Sequence, residues 1–298
     1  MTSSLILAVV LGAAANAQPP VIERPGPQCI AAISDKEAAE IGSRIWEHEG
    51  GGKLLIWWDA TAECASFGIN NYLWFQRGLK VPFQESFPPL IDYMLSKGAN
   101  VPQWIRSKPP APWSTRTELF AETAPPGRIR NDPKRFGLTA DKLAKTDSPR
   151  MKELREFLES TVALQARFSI QRMIDSLPKM LAAVPESARP AIEKQFYRVA
   201  CSHGGQFDLV DYANFKGEGT NPIERYKSPS GEMQGWGLLQ VLQHMKGDDL
   251  GPPALNEFAD SSEWVIRRRV DNAPPERRDG DRRWLALWVK RIQDYRGG

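Results

Sequence analysis

The stretch EGGGKLLIWWDATAECASFGINNYLWF, Glu49 to Phe75, decides the predicted fold, because it joins the end of a helix to an aromatic-rich β-hairpin. Three glycines at positions 50 to 52 end the helix and permit a sharp turn. Two short runs, 54–58 and 66–75, then mix β-branched, aromatic and small residues. We therefore predict a helix, a turn and a small β-hairpin near residues 53–75.

The helix before this stretch has a clear start signal. Ser34 and Glu37 have the S-x-x-E spacing of a capping box, with Ser34 as the N-cap residue. Apolar residues at positions 38, 41 and 45 then recur at steps of three and four, and Glu49 continues the same stripe. A carboxyl group at the end of an apolar stripe is partly desolvated, which favours its protonated form. Glu49 is therefore the first candidate for a proton donor.

A second stripe ends in a glutamate in the same way. Its members recur at steps of three or four residues: Phe207, Val210, Asn214 and Glu218. Glu218 stands between two glycines, and Asn214 precedes it by one helical turn. Glu218 is therefore a second candidate for the acid, with Asn214 beside it.

The first region resembles the lysozyme-like superfamily. Phage-type lysozymes also place a catalytic glutamate at the end of a helix, followed by a hairpin with a Gly-Ile-Gly-His-like strand; the corresponding strand here is Ser66–Asn71 (SFGINN). The resemblance implies that Glu49 takes the place of the acid. It also implies that Asp59, Glu63 or Ser66 takes the place of the group that positions water or stabilises positive charge on the sugar. Two asparagines, Asn70 and Asn71, replace the Gly-His pair.

The second region resembles the lytic transglycosylases, in which a glutamate is followed by an Asn-Pro turn and by a Gly-Leu-Met-Gln helix that lines the cleft. Here Glu218 is followed by Asn221-Pro222 and by Gly237-Leu238-Leu239-Gln240. The motifs Asn-Phe-Lys-Gly-Glu-Gly, at 214–219, and Gly-Trp-Gly-Leu-Leu-Gln-Val-Leu, at 235–242, also resemble those of a group of exported bacterial proteins without an established activity.

Further residues near the two glutamates are candidates for substrate binding. An aromatic face stacks on the apolar faces of sugar rings, and amides and guanidiniums bind hydroxyl groups. Core packing or structural hydrogen bonding explains each of these residues equally well. The candidates are Ser66, Asn70, Trp74, Asn214, Arg225, Tyr226, Trp236 and Gln240.

The fold class that we predict is mainly α (α+β), a lysozyme-like helical domain with one small hairpin. The chain has 298 residues, of which 41% are hydrophobic, enough for one large domain or two small ones. We predict a single helical domain over 31–298, with a loop-rich insertion near 108–149. Helices are expected near 151–180, 186–201, 205–217, 232–246, 254–270 and 281–295.

The first residues have the pattern of an export signal. Residues 1–17 contain an apolar run and an Ala-x-Ala cleavage pattern, which is typical of a secretory signal peptide too short to anchor the chain in a membrane. A Pro-rich linker, 18–30, follows. We therefore expect a periplasmic or secreted protein without a stable membrane anchor after cleavage; a buried N-terminal helix of a cytosolic protein is the alternative.

The cysteines, histidines and charges argue against several classes of protein. Three cysteines, at positions 29, 64 and 201, form no CxxC pair and predict one disulfide or none. Three histidines, at 48, 203 and 244, lack the spacing of ligands, so neither a metal site nor a cofactor is predicted. A net charge of +3 is too small to indicate a nucleic-acid partner.

These patterns lead to one functional hypothesis and two alternatives. The hypothesis is an exported enzyme that cleaves the β-1,4 glycosidic bonds of peptidoglycan, with Glu49 as the acid and Glu63 or Ser66 as the second group. In the first alternative, Glu218 is the sole acid and base of a transglycosylase-type reaction. In the second, a lysozyme-like cleft binds peptidoglycan or a related glycan without cutting it.

Overall fold

Residues 25–296, apart from 32, 53, 55 and 82, are described by a computed structural model of the chain. The predicted signal peptide and most of the predicted linker lie outside the described residues. Within them, the helices are α1 (Gln28–Ala31), α2 (Asp35–Gly50), α3 (Phe87–Ser96), α4 (Gln103–Arg106), α5 (Arg116–Glu122), α6 (Gly127–Asn131), α7 (Pro149–Ser160), α8 (Val162–Ala182), α9 (Arg189–Ala200), α10 (Gly205–Lys216), α11 (Leu238–His244), α12 (Pro252–Asp271) and α13 (Pro275–Gln293).

The strands form two small antiparallel sheets. The first has the order β1-β2-β3, with β1 (Ile56–Asp59), β2 (Cys64–Phe67) and β3 (Tyr72–Trp74), and the second pairs β4 (Arg225–Lys227) with β5 (Met233–Gly235). The prediction of a mainly α fold with a small β component is confirmed.

Helix α2 begins as predicted. The Ser34 hydroxyl accepts a hydrogen bond from the Glu37 N–H at 3.2 Å, and the Glu37 carboxylate accepts one from the Ser34 N–H at 2.8 Å. The helix ends at Gly50, and Gly51 follows in the left-handed conformation with φ of 58°, which glycine adopts without a steric penalty. This cap places Glu49 in the last turn of the helix, where it meets the sheet.

The first sheet has three strands, whereas the sequence analysis predicted a two-stranded hairpin. The predicted second strand is divided by a turn at residues 68–71, so that β2 pairs with β1 on one side and with β3 on the other. Gly68 and Asn71 in this turn have positive φ angles of 78° and 50°. Glycine and asparagine tolerate that backbone region best, which explains why the chain reverses there.

Two of the predicted helices were wrong in extent. The helix predicted over 151–180 is divided at Thr161 into α7 and α8. The helix predicted over 232–246 was wrong in its first half. There the chain forms β5, and the loop after β5 then packs closely against the loop after α10. A Cβ atom on Gly237 would lie 2.2 Å from the backbone nitrogen of Gly219. The backbone packing in this motif therefore requires glycine at position 237.

The segment 108–149 contains more regular structure than the predicted loop-rich insertion. It includes α5, α6 and two short 3₁₀ segments at 133–136 and 140–142. Leu119, Phe120 and Ile129 from this segment are fully buried against the first sheet. The segment therefore forms part of a hydrophobic core.

The apolar side chains form two clusters that lie on either side of Trp46. One joins α2 to the helices from α8 onward, and the other joins the first sheet to α3 through α7. A disulfide links Cys29 to Cys201, with a Cα–Cα distance of 5.0 Å, and Cys64 is a buried free thiol. The disulfide ties the start of the described chain to the end of α9.

Candidate functional site

A hollow of about 370 Å³ lies where the end of α2 meets the first sheet, α8 and α10. Glu49 and Asp59 both line it, together with Asn71 from the turn between β2 and β3 and Asn214 from α10. The sequence analysis offered Asp59 as one of three partners of Glu49. The structure brings these two carboxylates into one hollow.

The Glu49 carboxylate is held by three donors. Its Oε2 accepts a hydrogen bond from Asn71 Nδ2 at 2.9 Å, and its Oε1 accepts one from Asn214 Nδ2 at 3.1 Å. Arg291 Nη2 donates to Oε1 at 2.5 Å. The Glu49 side chain is only 15% exposed. Its position is therefore fixed from two helices and a turn.

Behind Glu49, Arg291 is anchored by a buried aspartate. Arg291 donates to both oxygens of Asp211, at 2.9 and 2.6 Å, and the Tyr295 hydroxyl donates to the same carboxylate at 2.6 Å. His48 Nδ1 lies 3.3 Å from Asp211, off the direction of a hydrogen bond. Burial by itself would raise the pKa of Asp211, but the His48 and Arg291 side chains outweigh it and lower this pKa to about 2.

Asp59 is the last residue of β1, and one of its two carboxylate oxygens is used in the turn that follows the strand. Its Oδ1 accepts hydrogen bonds from the backbone N–H groups of Thr61 and Ala62, both at 2.8 Å. The structure gives its other oxygen, Oδ2, no hydrogen-bond donor among the described residues. Because Asp59 lines the same hollow as Glu49, this oxygen is available to a ligand in the hollow.

A second hollow, of about 230 Å³, continues the first along α8 and α10. The two hollows share Asn70, Arg172 and Asn214, and Glu218 lines the far one. The Glu218 carboxylate lies 3.4 Å from Lys179 Nζ and is 33% exposed. Both glutamates that the sequence analysis singled out therefore line two adjoining hollows, which together we call the groove.

Asn70 is the member of the turn that faces both hollows. Its Nδ2 donates to Ser169 Oγ at 3.1 Å, while its buried Oδ1 has no donor in the part of the chain that the structure describes. The Tyr72 hydroxyl lies 2.6 Å from the same Ser169 oxygen. The side chain of Asn70 is thus oriented by α8, and a buried carbonyl oxygen without a donor is an acceptor that a ligand or water can satisfy.

Three of the predicted site residues on the first sheet lie elsewhere. Glu63 is exposed in the turn between β1 and β2, with φ of 51°. Ser66 is 1% exposed in the central strand, β2, and its hydroxyl has no hydrogen-bond partner among the described residues. Trp74 is 1% exposed, stacks on Phe87 at 4.7 Å and donates to Pro109 O. Buried side chains offer no surface to a sugar, so Ser66 and Trp74 are core residues.

Four predicted residues around β4, β5 and α11 belong to a separate cluster. Gln240 donates to Gly219 O and accepts from Gly237 N–H, so it is a structural clamp between the two loops and not a cleft residue. Tyr226 and Trp236 pack against each other at 4.6 Å, and Trp236 is 7% exposed. Arg225 has a buried Nε that finds no hydrogen-bond partner among the described residues. None of the four lines the groove.

An unusual lysine that the sequence analysis did not single out lies next to this cluster. Lys216 ends α10, and its ammonium nitrogen lies 3.4 Å from the centre of the Trp288 ring and 3.8 Å from that of Phe215. Burial lowers the pKa of Lys216 to about 6, and the guanidiniums of Arg269 and Arg291 act in the same direction. Lys216 therefore packs the end of α10 against these two rings.

Comparison with known proteins found no matching family model, no matching curated protein and no matching solved structure. The resemblance to lysozyme-like enzymes consequently rests on the sequence motifs quoted above. Among the described residues, no cluster of His, Cys, Asp and Glu could hold a metal ion. The same residues include no helix that is long and apolar enough to cross a membrane.

Proposed function

We propose that the groove, from here on the glycan groove, binds a β-1,4-linked glycan of the peptidoglycan type and that the protein cleaves it at Glu49. The observation that carries this proposal is that Glu49 and Asp59 line one hollow, which continues along α8 and α10 to Glu218. An elongated groove suits a linear polymer, and polar side chains on both of its walls suit sugar hydroxyl groups.

Cleavage of a glycosidic bond needs a proton for the leaving oxygen and a carboxylate that balances positive charge or activates water. Asp59 suits the second role, because its Oδ2 has no hydrogen-bond donor among the described residues. Glu49 takes the first role, because it lies in the last turn of α2 and lines the same hollow as Asp59.

An exported location is part of the proposal. The disulfide between Cys29 and Cys201 supports it, because disulfides persist mainly in oxidising compartments such as the periplasm and the extracellular space. Residues 1–17 have the pattern of a cleavable signal. Peptidoglycan is the β-1,4-linked glycan that a protein in that location would meet.

One observation favours a second candidate function, glycan binding without cleavage. Each groove glutamate already has a cationic partner, Arg291 for Glu49 and Lys179 for Glu218. If Glu49 keeps its ion pair when the glycan is bound, it cannot deliver a proton. The protein would then hold the polymer in the groove as a binding or scaffolding protein.

The test is incubation of the disulfide-bonded protein with purified peptidoglycan, followed by mass spectrometry of the released fragments. We expect Glu49→Gln to lower the rate at least about a hundredfold, because it removes the proton donor. Glu47→Gln is the matched control: Glu47 is exposed on the same helix, two residues away, and this variant should keep the wild-type rate. Asp59→Asn should lower the rate as well.

The outcomes separate the alternatives. Fragments with reducing ends that disappear in Glu49→Gln support hydrolysis at Glu49. Fragments with anhydro ends that disappear only in Glu218→Gln would instead assign a transglycosylase-type reaction to Glu218. No fragments from any variant, together with retained binding to peptidoglycan, would contradict cleavage and leave the binding function.

A further inference from the structure

A third hollow, of about 490 Å³, lies at the end of α2. Its apolar wall includes Leu54, Ile56 and Pro126, and two arginines, Arg128 and Arg155, line it as well. Glu49 is shared by this hollow and the first hollow of the glycan groove. The two hollows therefore adjoin each other at Glu49.

The two arginines differ in how they are partnered. Arg155 donates to Asp147 Oδ2 at 2.7 Å and to Leu54 O at 3.2 Å. Its third nitrogen, Nη2, donates to the Thr123 hydroxyl. These contacts neutralise its charge and occupy its donors. Burial would raise the pKa of Asp147, but its hydrogen bonds from Arg155 and Thr123 lower it below its usual range, which keeps this aspartate charged beside Arg155.

Arg128, by contrast, has no carboxylate or carbonyl partner among the described residues. Its guanidinium lies over the ring of Trp57, 4.0 Å from the ring centre, and Trp57 is itself packed edge-on against Phe120 and Phe136. Stacking on a fixed ring limits the positions of the guanidinium plane and leaves its edge N–H groups free. Arg128 is thus an oriented and uncompensated cation at the hollow.

We propose that this hollow binds a carboxylate carried by the glycan, with Arg128 as the residue that selects an acidic over a neutral polymer. The inference rests on the proposed function and deepens it. A guanidinium edge matches a carboxylate with two parallel hydrogen bonds, and the apolar wall fits a methyl group next to that carboxylate. The substrate class is therefore a glycan with lactyl or peptide carboxylates on its sugars, as in peptidoglycan, and not a neutral N-acetylglucosamine chain.

The test compares three tetrasaccharides by isothermal titration calorimetry: chitotetraose, a peptidoglycan tetrasaccharide with free lactyl groups, and the same tetrasaccharide with its stem peptides. All proteins carry Asp59→Asn, a change outside this hollow that slows cleavage of the ligands during the titration. We expect Arg128→Gln to weaken binding of an acidic tetrasaccharide about tenfold, the usual effect of a charge-assisted hydrogen bond, and to leave chitotetraose binding unchanged. The acidic ligand that loses more affinity identifies the source of the carboxylate.

Arg130→Gln is the matched control, since Arg130 is exposed on the same short helix, α6, and it should bind all three ligands as the parent does. An equal loss for acidic and neutral ligands in Arg128→Gln would overturn the inference, because Arg128 would then act on the shape of the hollow alone. Unchanged affinity for both acidic ligands would overturn it too, while leaving the proposed function standing. Absence of binding by any tetrasaccharide would overturn both.

Discussion

Replacement of Arg291 by methionine is expected to destabilise the protein by about 3 to 5 kcal/mol, the cost of leaving a buried charge without its partner. Arg291 joins Asp211, which is 1% exposed, to Glu49. Without the guanidinium, Asp211 keeps the Tyr295 hydroxyl and the nearby His48 but loses two charge-assisted hydrogen bonds. The free energy of unfolding therefore falls, and the end of α13 keeps its contacts to α2 through Asp294, which lies against Arg44 and His48, but loses the one through Arg291.

Thermal and urea unfolding, followed by circular dichroism, measure this effect. Arg283→Met is the control, because Arg283 is exposed on the same helix and an exposed substitution changes stability by about 0.5 kcal/mol or less. A double variant, Asp211→Asn with Arg291→Met, should recover part of the loss, since it removes the orphaned charge. Equal stability of the Arg291 and Arg283 variants would contradict the network that holds Glu49.

The same network gives the stability a defined pH dependence. The pKa of Asp211 is lowered from 3.8 to about 2 in the folded protein, so the unfolded chain binds more protons between these values. The contribution of this carboxylate is fully present above about pH 4 and is lost as the pH falls towards 2. We therefore expect the stability difference between wild type and Arg291→Met to shrink over that range.

Removal of the disulfide is expected to lower the free energy of unfolding by about 3 to 5 kcal/mol. Cys29 and Cys201 are 172 residues apart, and a bond that closes so long a loop restricts the unfolded chain strongly. The double variant Cys29→Ser with Cys201→Ser should melt at a lower temperature than wild type, and wild type treated with a reductant should melt near the double variant. The Cys64→Ala variant keeps the disulfide, so the reductant should lower its melting temperature as it does that of wild type. A double variant as stable as wild type would contradict the prediction.

The local features of the fold could be predicted from the sequence because they depend on near neighbours. The capping box at Ser34 and Glu37 and the glycine cap after Gly50 both follow from spacings of a few residues, and they placed Glu49 at the helix end. The reversal at Gly68 and Asn71 was missed, although glycine and asparagine signal a turn, because the aromatic run on both sides suggested one continuous strand. The start of the helix predicted over 232–246 is a strand in the structure. The chain there is shaped by the close approach of Gly219 and Gly237, and no local sequence pattern predicts a contact between residues so far apart.

The partners of the site residues could not be predicted, since they are distant in sequence. Arg291 meets Glu49 across 242 residues, and helical periodicity gives no information about such pairs. One signal was present for the aspartate behind them: Asp211 follows Phe207 by four residues and lies on the buried side of α10, where an acidic residue needs a cationic partner. For Trp74 and Trp236 the sequence could not separate a ring in the core from a ring on a cleft wall.

The most direct test is a crystal structure of Glu49→Gln with a peptidoglycan tetrasaccharide. We predict electron density for the sugars along the glycan groove, with one glycosidic oxygen within hydrogen-bond distance of the residue 49 side chain and Asp59 on the other side of that bond. A tetrasaccharide bound on another face, or one in the groove with no glycosidic oxygen near residue 49, would contradict glycan cleavage at this site.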